Sequence, residues 1–159
     1  MENKTNVVID TSIYIETFKG KSETSISKRI FKKAANNEFI IIISPQILRE
    51  IIDVATRNKH GYTEDFIENF LRENKNCFCS IAGKYKSYEL DRIDEKDNII
   101  LAAGLEGKAD YIISSDKHIL DLKKYHKIRI TNPVDFMKEI DQFNATKQKN
   151  KIRQEAIIL

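Results

Sequence analysis

Phe39-Ile40-Ile41-Ile42-Ile43-Ser44-Pro45-Gln46-Ile47-Leu48-Arg49-Glu50 is the stretch on which the fold turns. A phenylalanine and four isoleucines without polar alternation predict a strand covered on both faces. Ser44 then offers a helix cap and Pro45 the fixed φ of a first helical residue, while Ile47, Leu48, Ile51, Ile52 and Ala55 form one broad apolar stripe. A doubly covered strand that feeds a helix belongs to a parallel sheet with right-handed crossovers.

Reading outward, the same alternation continues. Upstream, Thr5 to Ile9 is a short β-branched run ending at Asp10, followed by a turn with Gly20. Ser22 is expected to cap a helix carrying Ile26, Ile30, Phe31 and Ala34, stopped by Asn36 and Asn37. Downstream, Gly61 closes a connection and Thr63 caps a helix with Phe66, Ile67, Phe70 and Leu71 on its apolar face. Cys77 to Ala82 reads as a strand, and Lys84 to Arg92 as a polar loop without assignment. Asp94 caps a helix from Glu95 to Glu106 that stops at Gly107. Ala109 to Ser114 is the next strand. A short helix at Ile119 to Leu122, a strand at Ile128 to Ile130 and a helix opening at Asn132-Pro133 complete the body. The fold class is α/β: a single domain with a central, mainly parallel sheet and helices on both faces, spanning residues 1–143, with a basic tail at 144–159.

Composition limits what such a domain does. The chain has 159 residues, 41% of them apolar, which suffices for one core without disulfides. No apolar run approaches the ~18 residues of a membrane span. Met1 to Asn6 is polar and lacks a secretory pattern, so the expected location is cytoplasmic, with no membrane partner. Cys77 and Cys79, two apart, read as buried strand thiols rather than as a disulfide or zinc pair. The formal charge of +3 is uneven: Lys147, Lys149, Lys151 and Arg153 against Glu155 account for all of it, and the preceding 143 residues balance.

Four acidic residues fall where this architecture brings them together: Asp10 after the first strand, Glu50 in the helix after the second, Asp97 in a helix's first turn, and Asp116 after a later strand. In such sheets, ligands gather outside the carboxyl ends of the strands. Taken singly, each has an ordinary reading: turn residue, solvated helix residue, helix amino terminus worth ~0.3–1 kcal/mol, and cap. Jointly they need a cation or protons, because two carboxylates ~4 Å apart repel by about 4 kcal/mol at an effective dielectric near 20. An all-oxygen set without His or Cys suits Mg²⁺ or Mn²⁺ and argues against zinc. Water on such a cation can be activated against a phosphodiester.

Val8-Ile9-Asp10-Thr11-Ser12, Leu48-Arg49-Glu50-Ile51-Ile52 after Ser44-Pro45, Asp94-Glu95-Lys96-Asp97-Asn98-Ile99-Ile100-Leu101-Ala102-Ala103, and Ala109-Asp110-Tyr111-Ile112-Ile113-Ser114-Ser115-Asp116 together resemble a PIN-domain nuclease. The resemblance covers roughly residues 5 to 140. It is greatest to the VapC-like toxins of type II toxin–antitoxin pairs. Ser114 stands where many relatives carry Thr, so the hydroxyl is kept. The resemblance implies that Asp10, Glu50, Asp97 and Asp116 are the acidic site, with Ser12 and Ser115 as polar neighbours. It implies Mg²⁺- or Mn²⁺-dependent cleavage of single-stranded RNA, Asp10 and Asp97 as direct ligands, Asp116 on a second metal or a water, and Glu50 holding that shell or accepting a proton. An antitoxin protein is the implied partner, and a homodimer the expected assembly.

Beyond the resemblance, Lys84, Tyr85, Lys86 and Tyr88 interleave cations with aromatics and suit either RNA stacking or a solvated loop whose tyrosines cover the core edge. Lys117, Lys123, Lys124 and Lys127 form a groove wall or are ordinary surface lysines. His60, His118 and His126 have no partners at ligand spacing. Asp53 is expected to pair with Arg49 or Arg57, and Asp94 to cap rather than ligate. The tail is either a disordered basic arm or a terminal helix that packs Ile152, Ile157 and Leu159 on a partner subunit. Two rival functions remain at this stage. One is a catalytically inactive RNA- or protein-binding module of the same fold. The other, a phosphoacceptor domain, lacks the required acidic pair, since Asn6 to Ile9 precede Asp10.

Overall fold

The computed structural model describes residues 3–91 and 94–158. Strands β1 (Thr5–Ile9), β2 (Phe39–Ile43), β3 (Phe78–Ser80), β4 (Tyr111–Ile113), β5 (Lys124–Tyr125) and β6 (Ile128–Thr131) form one sheet in the order β3-β2-β1-β4-β6-β5. Every pairing is parallel except β5 with β6. The α-helices among the described residues are α1 (Thr11–Lys19), α2 (Ile26–Ala35), α3 (Pro45–Ala55), α4 (Glu64–Glu73), α5 (Asn98–Glu106), α6 (Lys117–Leu120) and α7 (Pro133–Ile158). No helix among the described residues is long and apolar enough to cross a membrane.

The apolar runs behave as burial on two faces requires. Val7, Val8 and Ile9 are all fully buried. On β2 and β4, odd and even residues face opposite layers. Phe136 of α7 packs edge-on against Phe39 and Tyr111, whereas the α5 backbone at Gly104 and Gly107 lies on Ile112 and Ile42. So α7 covers one face and α5 the other. Ser44 caps α3 by accepting a hydrogen bond from the Ile47 N–H at 3.2 Å, and Thr63 caps α4 likewise through Phe66. Asn37 takes a left-handed φ of 62° after α2, a conformation asparagine tolerates better than most residues.

Several expectations change. Helix α1 follows Asp10 directly, where only a turn was expected: its Ile13, Tyr14 and Ile15 are consecutive and buried, so no one-sided stripe marks it. The helix predicted to begin at Ser22 begins after Ser25. The first turn predicted at Glu95 is a 3-10 turn, Glu95–Asp97, before α5. Cys77 is buried in a 3-10 turn, but Cys79 is exposed, because β3 is an edge strand covered only in part. The two-residue β5 was not foreseen, and Asp53 pairs with neither Arg49 nor Arg57 among the described residues. Helix α7 runs without a break through Asn144, so the tail's described part is helical and exposed rather than a disordered arm. Leu159, expected to pack on a partner, and Arg92, the end of the unassigned loop, lie outside the described residues, as do Met1, Glu2 and Ile93.

The close approach of Gly107 to β2 gives a stability test. A Cβ at Gly107 would stand 2.5 Å from Cγ2 of Ile42 and 3.0 Å from the Ala103 carbonyl oxygen, although φ there is negative and permits alanine. Gly107→Ala is therefore expected to destabilise the fold by about 1–3 kcal/mol through overpacking, read from the urea midpoint.

Candidate active site

Asp10 is the first residue past β1, and its N–H donates to the Ile113 carbonyl at 2.9 Å, which carries the β1–β4 ladder one step beyond the strands. Its side chain is buried, at 6% exposure. Ser114, fully buried at the end of β4, donates its hydroxyl to Asp10 Oδ2 at 2.7 Å, and Ser12 donates to the same oxygen at 3.3 Å. The Ser114 Oγ also accepts the Asp116 N–H at 2.9 Å. One hydroxyl thus ties two of the acids together. Asp116 caps α6, its Oδ1 accepting from the His118 N–H at 2.7 Å. Glu50 reaches over from α3, where the Thr11 hydroxyl donates to its Oε2 at 2.7 Å.

Asp97 closes the group from the amino end of α5. Its Oδ2 is buried and has no hydrogen-bond partner among the described residues. Burial, reinforced by the charges of Asp10, Asp94, Asp116 and Glu50, pushes its pKa up to about 7. Burial also raises the Asp10 carboxyl, with Glu50 adding to the effect and the Ser114 hydrogen bond opposing it. The four predicted acids therefore share one electrostatic environment. Among the described residues, no three His, Cys, Asp or Glu side chains close a metal cage by themselves. The donors still fit a hard cation: all are carboxylate oxygens, and the orphaned Asp97 Oδ2 lacks a positive partner. Mg²⁺ and Mn²⁺ suit such a site because Mg²⁺ typically keeps several waters and takes only one or two carboxylates.

The other expected site residues divide. Ser12 belongs to the site through Asp10. Ser115 and Lys117 are exposed on either side of Asp116 in the chain. Lys84 and Tyr85 are not with the acids: their N–H groups donate to Glu106 at the far end of α5, about 13 Å from Asp97 at ~1.5 Å rise per residue. Tyr85 and Tyr88 are 56% and 69% exposed and do not cover the core edge. Lys127 precedes β6 and so lies at the opposite edge of the sheet from the acids. The sequence reading gave no role to Thr11 or Asn98. Asn98 is buried, accepts the Leu90 N–H at 2.9 Å and donates to Asp91 Oδ1 at 2.7 Å, bolting the 83–91 loop to the end of α5 that carries Asp97. A hydroxyl directly after Asp10 and an amide directly after Asp97 were the available signals.

Comparison with known proteins follows the same lines. The family model described as PIN domain matches residues 6–118. None of the curated proteins matches the chain. Among solved structures, the fold is similar to a chain in the crystal structure of VapBC2 from Rickettsia felis bound to a DNA fragment from their promoter. The TM-score is 0.59 at 16% identity, covering 80% of this chain and 98% of that one.

The crowding of carboxylates predicts an inverted pH dependence. An acid whose folded pKa lies above its unfolded value stabilises the fold only while protonated, so stability is full below the unfolded pKa and lost as pH rises through the folded one. For Asp97 that window runs from 3.8 to about 7. Relative to Asp97→Asn, metal-free wild type is expected to lose thermal stability across it, Mn²⁺ to restore the loss, and the variant to melt higher than wild type at pH ~8 in EDTA. Differential scanning calorimetry of both proteins with and without Mn²⁺ checks all three; a difference between the two metal-free proteins that does not widen in the variant's favour over this window would refute the assignment.

Proposed function

The chain belongs to the PIN domain family, and from that premise we propose that it is a Mg²⁺- or Mn²⁺-dependent endoribonuclease that cuts single-stranded RNA, the toxin of a toxin–antitoxin pair. The observation that carries the reading is the electrostatic coupling of Asp97 to Asp10, Asp116 and Glu50 around an oxygen without a partner. A protein that only binds RNA gains nothing from burying negative charge where a phosphate must approach.

In this reading Asp10 and Asp97 would hold the cation, and Asp116 would offer the oxygen its cap bond leaves free. Mg²⁺ or Mn²⁺, when bound, would supply Lewis acidity toward water and the phosphate. Glu50, its Oε2 held by the Thr11 hydroxyl, would keep its other oxygen to orient its neighbours or to take up a proton. Ser114 holds Asp10 and the Asp116 backbone in register and acts as a positioning residue. Ser115 and Lys117 flank the path of the RNA backbone, with Lys117 supplying positive charge. An antitoxin protein is the expected partner, in keeping with the paired proteins of the structurally similar VapBC2 crystal. Self-association as a homodimer is supported by the exposed Ile152 and Ile157 on the far half of α7.

Asp10→Asn and Asp97→Asn are expected to keep the circular dichroism of wild type while losing Mn²⁺-dependent cleavage of a single-stranded RNA by roughly a hundredfold or more. Ser114→Ala is expected to lose about tenfold and Ser114→Thr to retain activity, since the hydroxyl is what matters. Full activity of either Asp variant, or undiminished cleavage in EDTA, overturns the reading. Induced expression tests toxicity separately: wild type should arrest growth and Asp10→Asn should not.

A further inference from the structure

The loop between β3 and α5 is built with more care than a solvated connection needs. Glu106 accepts from the N–H groups of Gly83, Lys84 and Tyr85 at 2.8, 2.6 and 3.3 Å. These bonds hold its carboxyl below the ordinary glutamate range against the opposing effect of burial. Gly83 has a φ of +73°, and its backbone lies so close to Gln46 that a Cβ would stand 2.2 Å from Oε1. In the middle, buried Ser87 bonds the Tyr125 hydroxyl at 3.0 Å, and at the end Asn98 secures Leu90 and Asp91. A backbone anchored at three places nevertheless turns Tyr85 and Tyr88 outward, at 56% and 69% exposure. Between this loop and the flanks of α3 and α5 lies a cleft of about 360 Å³, which includes residues on both sides of Asp97, namely Glu95 and Asn98.

The lining chooses among ligands. Asp91, Glu95 and Glu106 face Lys86, the one cation among the described lining residues, so the cleft disfavours a phosphate. It favours a flat group that stacks on tyrosine and presents hydrogen-bond donors. Glu106 is already occupied by three N–H groups, and one oxygen of Asp91 by Asn98. The Glu95 carboxylate has no hydrogen-bond or ion-pair partner among the described residues. A carboxylate accepts best from two parallel donors. Among the common bases, guanine alone offers a ring N–H beside an exocyclic amino group on its pairing edge. Adenine and cytosine offer an amino group beside an acceptor, and uracil a single N–H between two carbonyls.

We infer that the cleft bounded by Tyr85, Tyr88 and Glu95 is a guanine-binding subsite that takes a nucleotide of the RNA at a distance from the cleaved phosphate. The inference deepens the ribonuclease reading and rests on it for the substrate class. Tyr85 and Tyr88 supply stacking, and Glu95 discriminates by its pair of acceptor oxygens. Asp10, Glu50, Asp97 and Asp116 are not among the described residues that line the cleft, so a base seated there lies along the flank of α5, apart from the acids.

The test uses metal-free full-length protein and the four ribonucleoside monophosphates, whose shared phosphate cancels in comparison. Binding is followed by backbone and side-chain amide shifts in NMR. GMP is expected to bind roughly tenfold or more tightly than UMP, with shifts confined to residues 83–91, Gln46 and the start of α5. Glu95→Gln should abolish the difference among bases, because an amide has one acceptor and one donor. Tyr85→Ala combined with Tyr88→Ala should weaken all four by roughly tenfold, and the two Phe replacements should restore binding. Equal affinity for the four nucleotides, no binding at millimolar concentration, or shifts located elsewhere overturns the subsite. Cleavage of mixed-sequence RNA separates the two claims. Cutting without guanine preference, together with failed GMP binding, leaves the ribonuclease reading standing and removes the subsite. Selective GMP binding without any metal-dependent cutting does the reverse.

Discussion

The 2.7 Å hydrogen bond from Ser114 to Asp10 is the interaction on which the candidate site depends. Burying a carboxylate costs several kcal/mol or more unless something partners the charge. β1 ends by placing one at its buried carboxyl end, in the middle of the sheet. The neighbouring strand meets that cost in part with a hydroxyl that itself is fully buried and has nowhere else to point. Because Ser114 also accepts the Asp116 N–H, the spacing of two acids follows from the register of β1 against β4, where Ile9 stands opposite Ile113. The long apolar runs secure that register. A slip by one residue would turn every buried isoleucine of β4 and Ser114 to the wrong face.

The compensation is incomplete, and the shortfall is informative. Ser114 satisfies Asp10, and Thr11 satisfies one oxygen of Glu50, yet Asp97 is left with a buried oxygen that none of the described residues meets. A chain selected for stability alone would put asparagine there, or open the site to water. Keeping an acid in that position stores unfavourable energy that protons relieve at low pH and a divalent cation relieves near neutrality. The body carries no net charge, and four of its acids gather at the carboxyl ends of the strands, where a divalent cation would offset about half of their summed negative charge while the rest of the surface keeps its lysines.

How much of this was legible follows from which physics carried each signal. Uninterrupted apolar runs disclosed β1, β2 and the parallel class, since only a doubly covered strand lacks polar alternation. Side-chain caps at Ser44, Thr63 and Asp94 disclosed helix starts because each cap is a local bond between near neighbours. Helix α1 escaped because it is buried on too many sides to show a stripe, and Cys79 was misjudged because alternation within a strand says nothing about whether the strand lies at an edge. The grouping of the four acids was readable from topology and from the PIN-domain resemblance. The partners that set their energetics, Ser114 to Asp10 across 104 positions and Thr11 to Glu50 across 39, are long-range contacts without a local pattern. Glu106 anchoring Gly83 to Tyr85 is of the same kind.

Helix α5 connects these features. At its amino end it presents Asp97 to the other acids, and along one flank, through Asn98, Ala102 and Glu106 at i, i+4 and i+8 spacing, it lines the neighbouring cleft. Its last residue holds the loop that carries the tyrosines. Two small residues, Gly104 and Gly107, let the opposite flank lie so near Ile112, Ile128 and Ile42 that the helix has little freedom to rotate or slide. A rigid helix fixed to the sheet in this way sets a constant distance between the acids and the aromatic rim, roughly the ~13 Å of its length. The acids and the cleft are therefore not independently placed. A substitution that shifts α5 on the sheet moves both ends together, and so disturbs the charge cluster and the cleft in the same step.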